Sequence, residues 1–121
     1  QELRPHLHDG DAFVAQVRRQ ADHGYRLLAL RRGGEILACA GYRVTESLVR
    51  GRFLYVDDLV TRNDERSRGH GERLLHALVA EARAAGCRTL VLDSGLDNRH
   101  AHRFYLRQRL DIRAFRFAME L

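Results

Sequence analysis

The sequence contains no lysine, since all 21 of its basic residues are arginine. Lysine is therefore excluded as a catalytic base and as a Schiff-base nucleophile. The planar guanidinium group of arginine binds two phosphate oxygens at once, and the formal net charge of the chain is +5. This balance fits a phosphate-rich partner, either a nucleic acid or a phosphorylated cofactor. Composition alone does not choose between them.

Cysteine is scarce as well. The two cysteines, Cys39 and Cys87, are far apart, and each lies inside an apolar stretch. Cysteine in such a stretch usually packs as a small hydrophobic residue. We therefore expect two free, structural thiols rather than a disulfide or a nucleophile.

Long apolar runs and linkers are also absent. No run approaches the roughly 20 apolar residues of a membrane-spanning helix, and the first residues, QELRPHLHDGD, do not resemble a signal peptide. The 121 residues, of which 45% are hydrophobic, can bury one core but are too few for two domains. We expect a single soluble, cytoplasmic domain over residues 1–121.

Apolar periodicity predicts the order helix, three strands, helix, strand, helix, strand. Gly33 and Gly34 separate the first two strands and predict a β-hairpin. This order is typical of an α+β fold, with a mixed, mostly antiparallel sheet flanked by helices and a β-α-β unit in its second half. The predicted ranges are a helix within 11–22, strands at 25–32, 35–44 and 51–61, a helix at 74–86, a strand at 88–93, a helix at 98–108 and a strand at 112–120.

The stretch RSRGHGE, residues 66–72, lies where a predicted strand passes into a predicted helix. Backbone N–H groups at a helix start lack partners and attract anions, and the two glycines leave room for a ligand. The stretch predicts a pyrophosphate cradle, although glycines in this pattern often serve only a turn. It is neither a Walker loop nor a dinucleotide fingerprint. The cradle residues are Arg66, Ser67, Arg68, Gly69, His70 and Gly71.

A second motif makes the functional interpretation of the first more specific. The run R-S-R-G-H-G resembles the R-x-x-G-x-G/A cofactor motif of the GNAT superfamily of acyl-CoA N-acyltransferases, and residues 98–105, NRHAHRFY, are similar to its N-x-x-A-x-x-F/L-Y helix. Both motifs occur in the right order and on the expected elements. The resemblance covers roughly residues 25–121 and implies the GNAT fold.

The resemblance also implies a site and a reaction, the transfer of an acetyl group from acetyl-CoA, as cosubstrate, to an amine. The family's pantetheine-binding strand matches Leu59, Val60 and Thr61, and its pyrophosphate loop matches residues 66–71. Asn98 matches an asparagine that contacts pantetheine, and Tyr105 matches a tyrosine near the thioester sulfur. No metal is implied. His100 and His102 lie two apart on a helix and face different ways.

The residue types agree with that chemistry. A primary amine, with a reference pKa of about 10.4, must lose a proton before it attacks a thioester. The candidate bases are Asp57 and Asp58, which strand alternation should direct to opposite faces. Tyr105 is the candidate acid for the departing thiolate. Direct attack in a ternary complex is expected because neither motif contains a cysteine.

Two departures from the family pattern stand out. Arg109 and Leu110 replace a glycine and an aromatic residue after the tyrosine helix, which puts that turn in doubt. About 24 residues precede the first confident strand, where the family has a strand and two helices. Either an N-terminal strand and helix are missing, or the chain is a shortened variant, and acceptor specificity is in doubt in both cases.

Two other functions stay open. The first is a catalytically inactive CoA-binding or regulatory module. The second is a basic nucleic-acid-binding domain, which is disfavoured because Phe53 and Tyr55 lie in a run that looks buried. The sequence does not distinguish small-molecule from peptide amines as acceptors, and it leaves the oligomeric state, including a homodimer, undetermined.

Overall fold

The computed structural model describes the backbone of residues 12–18 and all of residues 24–62 and 69–121. One five-stranded sheet has the order β1-β2-β3-β4-β5. Strands β1 to β4 are antiparallel, and β5 is parallel to β4, so the mixed, mostly antiparallel sheet is confirmed. The elements are β1 (Ala12–Arg18), β2 (Arg26–Arg32), β3 (Glu35–Ser47), β4 (Gly51–Thr61), α1 (His70–Ala84), β5 (Thr89–Leu92) and α2 (Arg99–Arg107).

The core lies between α1 and one face of the sheet. Helix α1 buries an apolar stripe at three- and four-residue spacing, as its sequence pattern predicts. The opposing strand residues alternate, because successive side chains of a strand point to opposite faces. The buried cluster includes Leu74, Leu75, Leu78 and Ala82 of α1 with Leu28, Leu30, Ala38, Ala40, Tyr42, Leu54 and Val56 of the sheet.

The predicted helix within residues 11–22 is wrong. Residues Ala12–Arg18 form β1 and pair with β2 from Ala12↔Arg32 to Arg18↔Arg26. Its apolar residues fit both a helical and an alternating pattern, and only the available edge of β2 decides between them. Tertiary pairing commonly overrides local preference in this way.

The predicted strand at 112–120 is also wrong, because residues 111–121 form no helix or strand. Ile112, Phe115, Phe117 and Met119 are all exposed. Their alternation is typical of a strand with one apolar face, but a strand also requires a neighbouring edge for its backbone hydrogen bonds. One side-chain contact joins this segment to the end of the sheet, the 3.3 Å ion pair between Arg116 and Asp93, the residue after β5.

The turn after α2 forms in the usual way despite its unusual residue. Arg109 has φ 73°, in the left-handed region. The N–H of Arg109 donates to the carbonyl of Leu106, and that of Leu110 donates to the carbonyl of Tyr105, which is the Schellman arrangement. Leu110 packs against the core. Arginine therefore occupies a position that favours glycine, and the backbone of Tyr105 is fixed by this turn.

Replacing Arg109 with glycine should stabilise the protein. A left-handed conformation costs a residue with a Cβ roughly 1 kcal/mol or more relative to glycine, so Arg109→Gly should raise the free energy of unfolding by about 1 kcal/mol in urea titration. The matched control is Arg107→Gly, inside the last turn of the same helix, which should lower it by about 1 kcal/mol. A loss of stability in Arg109→Gly would contradict this account of the turn.

Candidate functional site

The sheet opens where β5 ends. Pairing between β4 and β5 runs from Phe53↔Thr89 to Val56↔Leu92, whereas β4 continues to Thr61. Residues 58–61 pair with β3 on one edge, and among the described residues no strand covers the other edge. Backbone N–H and C=O groups on an uncovered edge are available to a ligand. Leu59, Val60 and Thr61 therefore lie on an open edge, as a strand that binds an extended ligand arm requires.

The first turn of α1 lies in the chain segment that follows this open edge. Gly69 caps the helix with φ 82°, and a Cβ placed on it would meet no atom within 4 Å among the described residues beyond its chain neighbours. The N–H groups of a first helical turn, together with the helix dipole, favour an anion. His70 is only 4% exposed, so its ring is not open to a ligand, and its predicted part in the cradle stays a prediction. Arg66, Ser67 and Arg68 lie outside the described residues, and their predicted role stays a prediction.

Helix α2 brings the second motif against the first. A Cβ placed on Gly71 would lie 3.3 Å from the Cζ atom of Phe104, so the glycine allows the two helices to approach closely. Asn98 caps α2, and its side chain accepts a hydrogen bond of 3.4 Å from the N–H of Ala101. The N-x-x-A spacing thus has a structural cause, because an N-cap side chain binds the N–H three residues later. The predicted contact of Asn98 with pantetheine stays a prediction.

Tyr105 lies on α2 beside Phe104, with 5.5 Å between the ring centroids. Its side chain is half-buried, and this desolvation raises the pKa of its hydroxyl above the ordinary value of about 10. Burial disfavours the charged phenolate, so the hydroxyl keeps its proton at physiological pH. The hydroxyl of Tyr105 can therefore donate a hydrogen bond, and its predicted role at the thioester sulfur stays a prediction.

Asp57 and Asp58 do not point to opposite faces, and that expectation is wrong. Gly41 pairs with Asp58 and Tyr42 pairs with Val56, so Asp57 is the extra residue of a β-bulge. A bulge interrupts alternation and redirects a side chain. Asp57 binds Arg43, and Asp58 binds Tyr25, whose ring lies against Gly41. Residues 41 and 43 share one face of β3, so both carboxylates lie on that face, opposite α1.

The two carboxylates differ in their partners. Arg43 donates to both oxygens of Asp57, from Nε at 2.9 Å and from Nη2 at 2.7 Å. This hydrogen bond raises the pKa of the Arg43 guanidinium group, and the paired charges neutralise each other. Asp58 is exposed and accepts one hydrogen bond of 3.0 Å from the hydroxyl of Tyr25. Of the two, Asp58 is the carboxylate open to a further partner.

Sequence reasoning missed the residues that surround these carboxylates. The hydroxyl of Tyr55 donates to Asp93 at 2.5 Å, which raises the pKa of Tyr55, and the guanidinium of Arg43 lies 5.5 Å from the centroid of the Tyr55 ring. Gly41 was the available signal, since glycine inside a strand often marks a close approach of another group. The residue that approaches Gly41, which is Tyr25, is not evident from the sequence pattern.

Both cysteines are free and half-buried, as predicted. Burial raises the pKa of the Cys87 thiol, which disfavours the reactive thiolate. Cys39 pairs with Val60 across β3 and β4. It is therefore next to a residue of the open edge, a proximity that the sequence did not reveal. Within the described ranges, no three metal-binding side chains cluster closely enough to hold an ion.

Comparisons with known proteins identify the family. The sequence profile of the acetyltransferase (GNAT) family matches residues 2–109. The chain belongs to the GNAT family. It is 41% identical over 81 residues to the uncharacterized N-acetyltransferase YhdJ of Bacillus subtilis (strain 168), a match that covers 67% of this chain and 57% of the relative. The chain therefore spans less than two thirds of the length of that relative.

Solved structures show the same fold. The enzyme AAC(6')-Iy, in complex with the bisubstrate analog CoA-S-monomethyl-acetylneamine, has a TM-score of 0.77 at 14% identity, covering 92% of this chain and 99% of the other. Glucosamine-6-phosphate N-acetyltransferase of Arabidopsis thaliana has a TM-score of 0.68 at 16% identity, covering 82% of this chain and 68% of the other. Neither helix in the described part of this GNAT chain is long and apolar enough to cross a membrane.

The raised pKa of Tyr105 should be visible in its titration. Because burial favours the neutral hydroxyl, Tyr105 should ionise at a higher pH than N-acetyltyrosinamide. Its stabilising contribution should be complete below pH 10 and decline as the pH rises through its own pKa. The phenolate absorbance of the wild type and of Tyr105→Phe is measured from pH 8 to 12. The difference between the two curves isolates the titration of Tyr105. Ionisation at or below the pH of the free amide would contradict the burial.

Proposed function

We propose that this GNAT chain transfers an acetyl group from acetyl-CoA to a primary amine by direct attack in a ternary complex. The contact between Gly71 and Phe104 carries the proposal, because it joins two motifs that are far apart in sequence. Gly71 lies near the start of the helix that follows β4, and Phe104 lies on the helix that follows β5. Two motifs within one site support a shared ligand better than either does alone.

The residues present fit acetyl-CoA. The open edge at Leu59, Val60 and Thr61 offers backbone groups to an extended pantetheine arm. The start of α1 offers N–H groups that suit a pyrophosphate, and among the described residues no atom beyond the chain neighbours lies within 4 Å of a Cβ placed on Gly69. Arg66 and Arg68 would add charge to the same position. When bound, acetyl-CoA supplies the thioester carbonyl and the thiolate leaving group.

Asp58 is the better candidate for the base. Asp57 is held at both oxygens by Arg43, and proton acceptance there would break a charge-assisted pair. Asp58 is exposed and makes no ion pair among the described residues. We assign Asp58 the role of taking a proton from the acceptor ammonium, directly or through one water.

Tyr105 is proposed as the donor to the departing sulfur. A thiol has a reference pKa of about 8.5, so the thiolate is a fair leaving group, and a neutral hydroxyl can stabilise its growing charge. The raised pKa of Tyr105 makes complete proton transfer less favourable but leaves hydrogen-bond donation intact. Tyr105 is therefore proposed to stabilise the negative charge that forms on sulfur as the C–S bond breaks, mainly by donating a hydrogen bond.

A panel of amines tests the function. Thiol release from acetyl-CoA should appear with at least one amino sugar, aminoglycoside, amino acid or peptide amine, since structural relatives include enzymes named for glucosamine-6-phosphate and aminoglycosides. Intact mass during turnover should show no acetylated Cys39 if attack is direct. Acetyl-CoA binding without turnover of any amine would support the inactive binding module instead.

Gly69 should matter for acetyl-CoA and Gly86 should not. They flank the two ends of α1 with φ of 82° and 77°, and in the described ranges neither would place a Cβ within 4 Å of an atom beyond its chain neighbours. Both alanine variants should lose about 1 kcal/mol of stability through backbone strain. Only Gly69→Ala should also weaken acetyl-CoA binding, by roughly tenfold or more in calorimetry. Equal affinities of the two variants for acetyl-CoA would contradict the proposed pyrophosphate cradle.

Tyr105→Phe should lower kcat with little change in the KM for acetyl-CoA. Sulfur gains charge only as the C–S bond breaks, so a hydroxyl near it stabilises the transition state selectively. A fall of about 10²- to 10³-fold is expected, the usual cost of removing one hydrogen-bond donor to a charge that develops in the transition state. The ring is retained, so the variant should keep its fold by circular dichroism. Wild-type turnover would show that Tyr105 is structural.

A further inference from the structure

The geometry points to Tyr25 as a positioning residue for Asp58, one that orients the base carboxylate toward the acceptor amine without neutralising it. This inference rests on the proposed function, in which Asp58 takes the proton. Tyr25 immediately precedes β2, and its hydroxyl donates to Oδ2 of Asp58 at 3.0 Å. It belongs to neither family motif.

Gly41 provides the space for this contact. It pairs with Asp58 on β4 and with Leu27 on β2, and a Cβ placed on it would overlap the hydroxyl and ring of Tyr25. Its backbone is not in the left-handed region, so the backbone conformation does not require glycine here. Glycine inside a strand is destabilising relative to alanine. The close approach of the Tyr25 ring is therefore the reason for glycine at this position.

The charges on this face show why a hydroxyl suits Asp58. Arg43 neutralises Asp57 at 2.7 Å, and Arg116 pairs with Asp93 at the end of β5. Among the described residues, Asp58 has no such arginine, and its nearest charged neighbour on its own strand is Asp57. A neutral hydroxyl fixes the carboxylate while leaving its negative charge to accept a proton.

The bulge at Asp57 determines which residues Asp58 meets. An extra residue in β4 redirects the side chains that follow it, and an exposed carboxylate has several staggered rotamers open to it. The hydrogen bond from Tyr25 selects one of them. Tyr25 acts through Asp58 and need not touch either substrate.

A double-mutant cycle tests the inference with the best amine of the panel. Tyr25→Phe should lower kcat about tenfold and leave the KM for acetyl-CoA unchanged, because it removes a hydrogen bond to a charged group. Asp58→Asn should lower kcat by about 10²-fold or more. The double variant should match Asp58→Asn alone, since the asparagine side chain that Tyr25 can still bind is not a base.

Two further variants separate positioning from structure. Gly41→Ala displaces the Tyr25 hydroxyl without removing it, and it should lower kcat as Tyr25→Phe does. Tyr55→Phe removes a hydroxyl bound to Asp93 on the same face, and it should keep kcat within about twofold. If Gly41→Ala does not fold, the comparison of Tyr25→Phe with its Tyr55→Phe control still tests whether Tyr25 positions Asp58.

The outcomes separate the inference from the function on which it rests. If the wild-type protein turns over no amine, the proposed function is contradicted, and so is the inference. If the wild-type protein is active and Tyr25→Phe has a normal kcat, only the inference is contradicted. An equal loss from Tyr25→Phe in the wild-type and Asp58→Asn backgrounds would also overturn it, since a general structural effect would persist without the carboxylate.

Discussion

The end of β5 at Leu92 is the constraint on which the rest of the site depends. Because β5 stops while β4 continues to Thr61, one edge of β4 has no strand beside it in the described part of the sheet. The chain leaving β5 turns into α2 at that same end, and α1 begins after β4 leaves it. The open edge is therefore a consequence of this short strand, and both helices follow strands that end on the same side of the sheet.

The bulge at Asp57 is the second determinant, and it acts on the opposite face from α1. Regular alternation would have separated the two aspartates, whereas the extra residue brings both to one face and gives them different partners. One is neutralised by an arginine, and within the described part of the chain the other meets only a hydroxyl. Two adjacent residues of the same type can thus take different chemical roles, which the environment assigns.

Parts of the family motifs have structural causes that are independent of a ligand. Asn98 caps α2 through the N–H of Ala101, and Gly71 makes room for Phe104. The turn at Arg109 keeps the left-handed conformation even without glycine, because Leu110 packs on the core and its N–H binds the carbonyl of Tyr105. These contacts place Tyr105, and they explain how the family's helix persists in a chain that departs from its pattern.

The sequence by itself determined the hairpin at Gly33 and Gly34, strands β2 to β5, both helices and the residues of the two motifs. Those features depend on apolar periodicity, turn residues and caps, which act over a few neighbouring residues. Only the tertiary structure decided that residues 12–18 form a strand, that residues 112–120 do not, and that Tyr25 meets Asp58 over Gly41. Strand pairing, bulge position and side-chain partners depend on residues distant in the chain, and a local pattern carries no information about which edge will be free.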